Sequence, residues 1–251
     1  MTTKKITKVS GGAEDSPQKK TFVPTAEAKG KAAQLRIFAV LLWVLAIGAE
    51  IGAIFVLIKS AKPIETSTWV WMIALIVVDL ILVVIGSMLW KKSNRLDPAS
   101  KQDTIRFFLQ NQLGVIVAVI AFLPLVILVF MNKDLDGKQK GIIGGIAIAA
   151  MILAGLLSAD FNPPSIEEYT QQTSRIEELI GVNNVYWTKS GTKYHIDPDC
   201  SSINTKRTDE IFNGTVAKAR ELKNITELCK FCENKAVKAK GLLDKKGETS
   251  N

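Results

Sequence analysis

Four long apolar runs occupy the middle of this chain and restrict what it can fold into. They cover Ile37 to Ile58, Trp69 to Trp90, Leu113 to Met131 and Gly141 to Ser158. Each is close to the length that crosses a hydrocarbon core of about 30 Å at ~1.5 Å per helical residue. The sequence therefore predicts an α-helical membrane protein with four transmembrane helices.

The flanks of the runs agree with this interpretation. Trp69, Trp71 and Trp90 lie at both ends of the second run, where amphipathic rings prefer the headgroup level, and Lys91 and Lys92 follow directly. The first run comes after 36 mostly polar residues, so it does not have the layout of a cleaved signal peptide. We expect all four runs to remain in the mature protein.

The distribution of positive charge predicts the orientation. Lys and Arg number 8 up to residue 36, 2 in residues 59–68, 5 in 91–112, 3 in 132–140 and 14 beyond residue 174. Because cytoplasmic loops are enriched in positive charge, both termini and the middle loop are expected in the cytoplasm. The expected location is the inner (plasma) membrane, with a multi-pass topology.

Two acidic residues lie deep inside the runs. Glu50 is in the first run and Asp79 is near the middle of the second, where a carboxylate costs several kcal/mol unless it is protonated, paired or hydrated. No Lys, Arg or His lies inside any run. The pair is therefore a candidate intramembrane polar site, serving either hydrogen bonding between helices or a path for protons or cations.

The single histidine and all three cysteines of the chain fall within 38 residues. His195 and Cys200 form one pair, and Cys229 and Cys232 form a Cys-x2-Cys knuckle. A tetrahedral Zn²⁺ site takes four nitrogen or sulfur ligands, so this is one complete set. The sequence predicts a zinc site with these four ligands. The alternative is that the cysteines are buried without a metal.

Four protein ligands indicate a structural zinc, because a catalytic zinc usually keeps one position open for water. A labile ligand would instead leave a reactive or redox-active thiolate, and this alternative stays open. Three cysteines cannot all pair, which argues against a disulfide framework. Cysteine usage thus favours a reducing compartment, in agreement with a cytoplasmic C-terminus.

Residues 182–234 are expected to form a small α+β zinc-binding domain. Its predicted elements are strands Val185 to Thr188 and Lys193 to His195, a helix Thr215 to Lys223, and the knuckle Cys229 to Cys232. A domain of this size is hard to stabilise by hydrophobic burial alone. Metal binding would supply folding free energy of order ten kcal/mol.

The other segments complete the predicted organisation. Residues 1–34 are expected to be a disordered basic tail, 35–160 the membrane domain, 161–181 a helical linker, and 235–251 a basic C-terminal tail. The linker starts at a capping box opened by Ser165. Its apolar stripe suits a short coiled coil, and hence a homo-oligomer, or equally packing on the zinc domain. The stripe consists of Ile166, Tyr169, Thr173, Ile176 and Ile180.

The C-terminal motifs resemble a small accessory module found at the ends of many bacterial proteins. That module has a Tyr-His pair, three or four residues, a cysteine, then a helix and Cys-x-x-Cys, as in Tyr194-His195 to Cys200 and Cys229 to Cys232. It is also distantly similar to the zinc-binding domain of the Ada DNA-repair protein, which uses cysteines only. The resemblance covers about 50 residues, implies the same four metal ligands, and implies no enzymatic activity.

No nucleophile elbow, phosphate-binding loop or dinucleotide glycine pattern is present, so the sequence predicts that the protein is not an enzyme. We expect a bacterial membrane protein that displays a structural zinc module at the cytoplasmic face for a partner protein or for sensing. A small transporter or channel component using Glu50 and Asp79 is one alternative. Membrane-tethered nucleic-acid binding is a less favoured one. The basic residues for the latter are Lys206, Arg207, Lys218, Arg220, Lys223, Lys230, Lys235, Lys238 and Lys240.

Overall fold

The computed structural model of the chain describes residues 5–8, 21–59, 66–223 and 225–241. These residues form two compact units. We call residues 29–163 the membrane unit, and residues 1–28 with 164–251 the metal module. The helices are α1 (Ala26–Lys59), α2 (Thr66–Leu96), α3 (Thr104–Met131), α4 (Gly137–Ser158), α5 (Ile166–Ile180), α6 (Val216–Lys223) and α7 (Lys230–Ala239). The strands are β1 (Lys5–Lys8), β2 (Val185–Thr188), β3 (Lys193–Tyr194), β4 (Glu210–Gly214) and β5 (Glu227–Leu228).

The membrane unit contains four helices that are long and apolar enough to cross a membrane. Each apolar run of the sequence lies inside one of the helices α1 to α4. Large apolar side chains such as Phe38, Trp71 and Leu156 are exposed on the surface of this unit. A surface of this kind is unfavourable in water and is the kind that contacts lipid.

Small side chains fill much of the centre of the membrane unit. Ala46, Ala53, Ala118, Ala121 and Ala147 are all fully buried there. Such residues allow helices to approach closely in an environment where the hydrophobic effect does not drive helix association. Close packing of small residues therefore accounts for the assembly of this unit.

The third helix begins well before its apolar run. Asp103 caps it by accepting a hydrogen bond from the backbone N–H of Arg106 at 3.1 Å. Residues 104–112 thus extend the helix rather than forming a separate interfacial one. Pro124 lies inside the same helix, which continues to Met131.

The metal module is built on two small sheets. The first has the strand order β1-β4-β2, in which β1 is parallel and β2 antiparallel to β4. The second pairs β3 and β5 in parallel. One apolar cluster surrounds the buried Trp187, Val216 and Ile225, and a second contains the three cysteines with Ile203 and Ile211. The module therefore has two small cores rather than one large one.

The N-terminal segment differs from the disordered tail expected for residues 1–34. Strand β1 pairs with β4, the ring of Phe22 meets that of Tyr169 edge to face at 5.1 Å, and α1 already starts at Ala26. Hydrogen bonds from a distant strand supply partners that local composition cannot reveal. Residues 1–4 and 9–20 of the predicted tail lie outside the described residues.

The predicted linker helix is part of the metal module. Ser165 caps α5 by accepting from the N–H of Glu168 at 3.1 Å, and Gly181 ends it in the left-handed conformation at φ 80°. Tyr169 and Ile176 are buried in this module, so part of the apolar stripe packs within the monomer. This is the second of the two roles that the sequence allowed for the stripe.

The ends of the predicted zinc-binding domain also differ from the elements observed. Helix α7 continues to Ala239 and so includes the first residues of the predicted tail 235–251, of which 242–251 lie outside the described residues. Strand β4 was not predicted, and it ends at Gly214. Thr215 then caps α6 by accepting from the N–H of Lys218 at 3.2 Å.

A first prediction concerns helix packing in the membrane unit. A Cβ at Gly86 would lie 2.6 Å from Nε1 of Trp43, whose indole is buried and donates to the carbonyl of Val83 at 3.3 Å. We expect Gly86→Ala to destabilise the detergent-solubilised chain by about 1–3 kcal/mol through overpacking. Gly48→Ala meets no atom within 4 Å and serves as the control. Thermal unfolding followed by circular dichroism should show a lower midpoint for the first variant alone.

A second prediction concerns the N-terminal segment. Phe22 contacts Tyr169 and donates its backbone N–H to Oγ1 of Thr170 at 2.8 Å, whereas the next side chain, Val23, is exposed. We expect Phe22→Ala to cost about 1–2 kcal/mol, since it removes a half-buried ring. Hydrogen exchange should become faster in α5 and α6 of this variant. Val23→Ala should leave exchange unchanged, and equal exchange in both variants would contradict the observed packing.

Candidate metal centre

Four metal-ligating side chains meet at one buried point of the metal module. One ligand atom each from His195, Cys200, Cys229 and Cys232 lies within 4.8 Å of the other three. Sγ of Cys232 is 3.6 Å from Nδ1 of His195. All four residues are buried, and together they could hold a metal ion. The structure thus brings together the four residues that the sequence selected.

His195 is held in place by the strand beside it. Its N–H donates to the carbonyl of Tyr186 at 2.7 Å, and the N–H of Tyr186 donates back to the carbonyl of His195 at 2.7 Å. This antiparallel bridge extends β3 by one residue against β2. Both bonds hold the backbone of His195 beside β2.

The knuckle is brought to His195 by the second sheet. Parallel pairing aligns Tyr194 with Leu228, and the N–H of Cys229 donates to the carbonyl of Tyr194 at 2.9 Å. Cys229 is the residue directly before α7, and Cys232 lies in the first turn of that helix. One short ladder therefore joins the two halves of the ligand set.

Cys200 sits on a tight loop that a carboxylate organises. Oδ1 of Asp197 accepts from the N–H of Asp199 at 2.9 Å, and the carbonyl of Asp197 accepts from the N–H of Cys200 at 3.2 Å. Oδ2 of Asp197 also meets Nζ of Lys235 at 2.6 Å. That ion pair connects the loop carrying Cys200 to α7, which carries Cys232.

The electrostatics of the cluster favour a bound cation. Burial lowers the pKa of His195, which keeps the imidazole in the neutral form that binds metals. Burial, together with Cys200, raises the pKa of the Cys232 thiol to about 12. Burial also opposes ionisation of Cys229, but hydrogen bonds from the backbone of Cys232 and Phe231 outweigh it and lower its pKa. Three adjacent thiolates need positive charge between them, and a metal ion provides it.

The two acidic residues of the membrane spans are also buried, within the membrane unit. Glu50 is 4% exposed and Asp79 is 2% exposed. Oε1 of Glu50 accepts from the backbone N–H of Leu125 at 3.1 Å. They belong to a different unit from the metal centre.

The basic residues of the nucleic-acid alternative do not form one free surface. Arg220 and Lys218 are buried, and the guanidinium of Arg220 stacks on the ring of Tyr169 at 3.8 Å. Burial lowers the pKa of Arg220 to about 10. Lys235 pairs with Asp197. These three cations are engaged in structure within the metal module.

Sequence reasoning missed two contributors to the metal centre. The Asp197–Lys235 ion pair joins residues 38 positions apart, and no local pattern points to it. Strand β4 buries Ile211 and Asn213 on one face, which is not an apolar alternation. The residues Glu210 to Gly214 therefore show no strand pattern in the sequence, and the strand forms because β1 and β2 pair with it.

Comparison with protein-family models, with curated proteins and with solved structures finds no match to this chain. The class of this protein is therefore defined by its fold and its site alone. Among the described residues, the chain has four helices able to span a membrane and a His/Cys3 cluster able to hold a metal ion.

A third prediction follows from this geometry. The purified full chain should carry one divalent metal ion per molecule in elemental analysis, and Cys232→Ser should lose it on dialysis against a chelator because one thiolate of the closed shell is removed. His195→Ala should behave in the same way. Ser201→Ala is the control, since this exposed hydroxyl lies next to Cys200 in sequence and is not part of the cluster. Metal retained in both ligand variants would contradict the assignment.

Proposed function

We propose that this protein is a bacterial inner-membrane protein that displays a structural zinc module to a protein partner in the cytoplasm. The observation that carries the proposal is the convergence of four buried ligand atoms within 4.8 Å in a chain with four apolar helices. The resemblance of the C-terminal motifs to a small bacterial accessory module supports the same assignment.

Zinc is the metal that best suits the donor set. With Zn–S bonds of about 2.3 Å and Zn–N bonds of about 2.0–2.1 Å, tetrahedral geometry places a sulfur and a nitrogen ligand about 3.6 Å apart. Sγ of Cys232 and Nδ1 of His195 are 3.6 Å apart. Thiolate and imidazole ligands in this number are typical of structural zinc.

A structural role fits better than a catalytic or sensing one. Three thiolates and one imidazole fill a tetrahedral shell and leave no position for water or substrate. The four ligands are all buried, which slows exchange of the metal with solvent. We therefore propose that the zinc stabilises the fold of the module and takes part in no reaction.

The orientation rests on charge and on thiol chemistry. The positive-inside rule favours both termini in the cytoplasm, given 14 Lys and Arg beyond residue 174. The three cysteines of the module are free thiols, and a reducing compartment maintains that state.

The partner surface is proposed at the tip of the knuckle. Phe231 lies between Cys229 and Cys232, and its side chain is 57% exposed although both neighbouring thiols are buried. A rigid, exposed aromatic ring is a common centre of protein–protein contacts. The zinc would fix the position of this ring by fixing the turn that carries it.

A fourth prediction tests this proposal. A photoreactive amino acid at position 231 of the full chain in living cells should give one discrete crosslinked protein species. The same probe at position 189, an exposed residue of the β2–β3 turn, should not give that species. Adding Cys229→Ser and Cys232→Ser should abolish the crosslink at 231, because the knuckle loses its metal.

Two outcomes would contradict the proposal. Identical adducts at both positions would mean that no specific surface exists at the knuckle. A C-terminal fusion to a phosphatase that is active only outside the cytoplasm, if active, would place the module on the other side of the membrane.

A further inference from the structure

The membrane unit contains a pair of buried carboxyl groups that the proposed function does not use. Glu50 on α1 is 4% exposed and Asp79 on α2 is 2% exposed. The residues one turn from each carboxyl group on the same helix face belong to one apolar core: Ala46 and Ala53 on α1, and Ile76 and Val83 on α2. Two ionised carboxylates at such a place would be very costly.

No other ionisable side chain in the apolar runs can balance these charges. The runs of α1 and α2 contain Glu50 and Asp79 as their only Asp, Glu, Lys, Arg, His, Tyr or Cys residues. The runs of α3 and α4 contain none. Neutralisation must therefore come from a small ligand rather than from a side chain of these spans.

Glu50 has a defined backbone partner on α3. Pro124 has no N–H and its ring disturbs the helical turn before it, so backbone groups at this point need other partners. Oε1 of Glu50 accepts from the N–H of the next residue, Leu125, at 3.1 Å. Glu50 is thus anchored to the proline site of a neighbouring helix.

Asp79 is not anchored in this way. Its Oδ1 is fully buried and has no hydrogen-bond partner among the described residues. Ile76 and Val83 lie on the same face of α2, one turn to either side, and both are buried in the apolar core. A buried oxygen with a free lone pair in apolar surroundings lacks a hydrogen-bond donor or a bound ion.

We propose that Glu50 and Asp79 form an intramembrane proton-binding site, in which Asp79 takes up and releases the proton. Uptake converts the Asp79 carboxylate and a proton from water into a neutral carboxylic acid, and release reverses this step. A dehydrated metal cation requires several oxygen ligands, whereas a proton requires a single lone pair. The site is independent of the metal module, because all its residues belong to the membrane unit.

Dicyclohexylcarbodiimide tests the proposal on the full chain in lipid vesicles. This apolar reagent reacts with a protonated carboxyl group. The acid proton moves to a carbodiimide nitrogen, the carboxylate oxygen bonds to the central carbon, and the acyl group then migrates to nitrogen to give a stable adduct. We expect one adduct per chain, mapped to Asp79 by peptide mass spectrometry. Its rate of formation should fall about tenfold per pH unit once the site deprotonates.

Two variants sharpen the test. Asp79→Asn should abolish the adduct, and Glu178→Gln should retain it, because this exposed carboxyl on α5 belongs to the metal module. Mapping the adduct in the unmodified chain needs no variant, so a folding defect in either one leaves the test intact.

Three results would overturn the proposal. Absence of an adduct at every pH would mean that Asp79 holds no exchangeable proton. Suppression of the adduct by Na⁺ at constant pH would make the pair a metal-cation site instead. An adduct mapped to any residue other than Asp79 would assign the exchangeable proton to another carboxyl group.

Discussion

The meeting of four metal-ligating side chains at one buried point is the constraint on which the metal module depends. Two small sheets and the three short helices α5, α6 and α7 offer little apolar surface for a stable core. The ladder between β3 and β5, the bridge at His195 and the start of α7 all converge on the ligands. Burying three cysteines and an imidazole together without a cation would be costly once the thiols ionise. One metal ion among them would remove this cost and become the main source of the module's stability.

The membrane unit is held together by a different interaction, the close packing of its helices. Its helices expose apolar side chains outwards and bury alanine and glycine between them, because lipid removes the hydrophobic driving force for helix association. A buried polar group inside this unit needs a partner, since apolar surroundings supply none. Glu50 meets the backbone beside Pro124, while Oδ1 of Asp79 has no partner among the described residues. The first arrangement gives a backbone N–H beside Pro124 a partner, and the second points to a ligand.

The N-terminal segment ties the two ends of the sequence together within the metal module. Lys5–Lys8 pairs with Glu210–Gly214, and Phe22 contacts the ring of Tyr169 on α5. Arg220 is buried beside the same two rings, at 3.8 Å from the centre of Tyr169 and 5.8 Å from that of Phe22. A stacked guanidinium between aromatic rings gains cation–π attraction and loses hydration, so it serves packing rather than recognition of an external anion.

The sequence by itself determined the local features of this protein. Run length and apolar composition were sufficient for the four membrane-length helices, since crossing lipid requires about 20 apolar residues whatever the tertiary context. Residue type and spacing were sufficient to select His195, Cys200, Cys229 and Cys232, because few side chains ligate metals and the chain has no others of these types. Tertiary structure decided what depends on distant partners. Strand β1, the β4 edge that it pairs with, and the Asp197–Lys235 ion pair join segments far apart in sequence. Composition cannot reveal such pairings, because backbone hydrogen bonds and ion pairs form with whatever the fold places nearby.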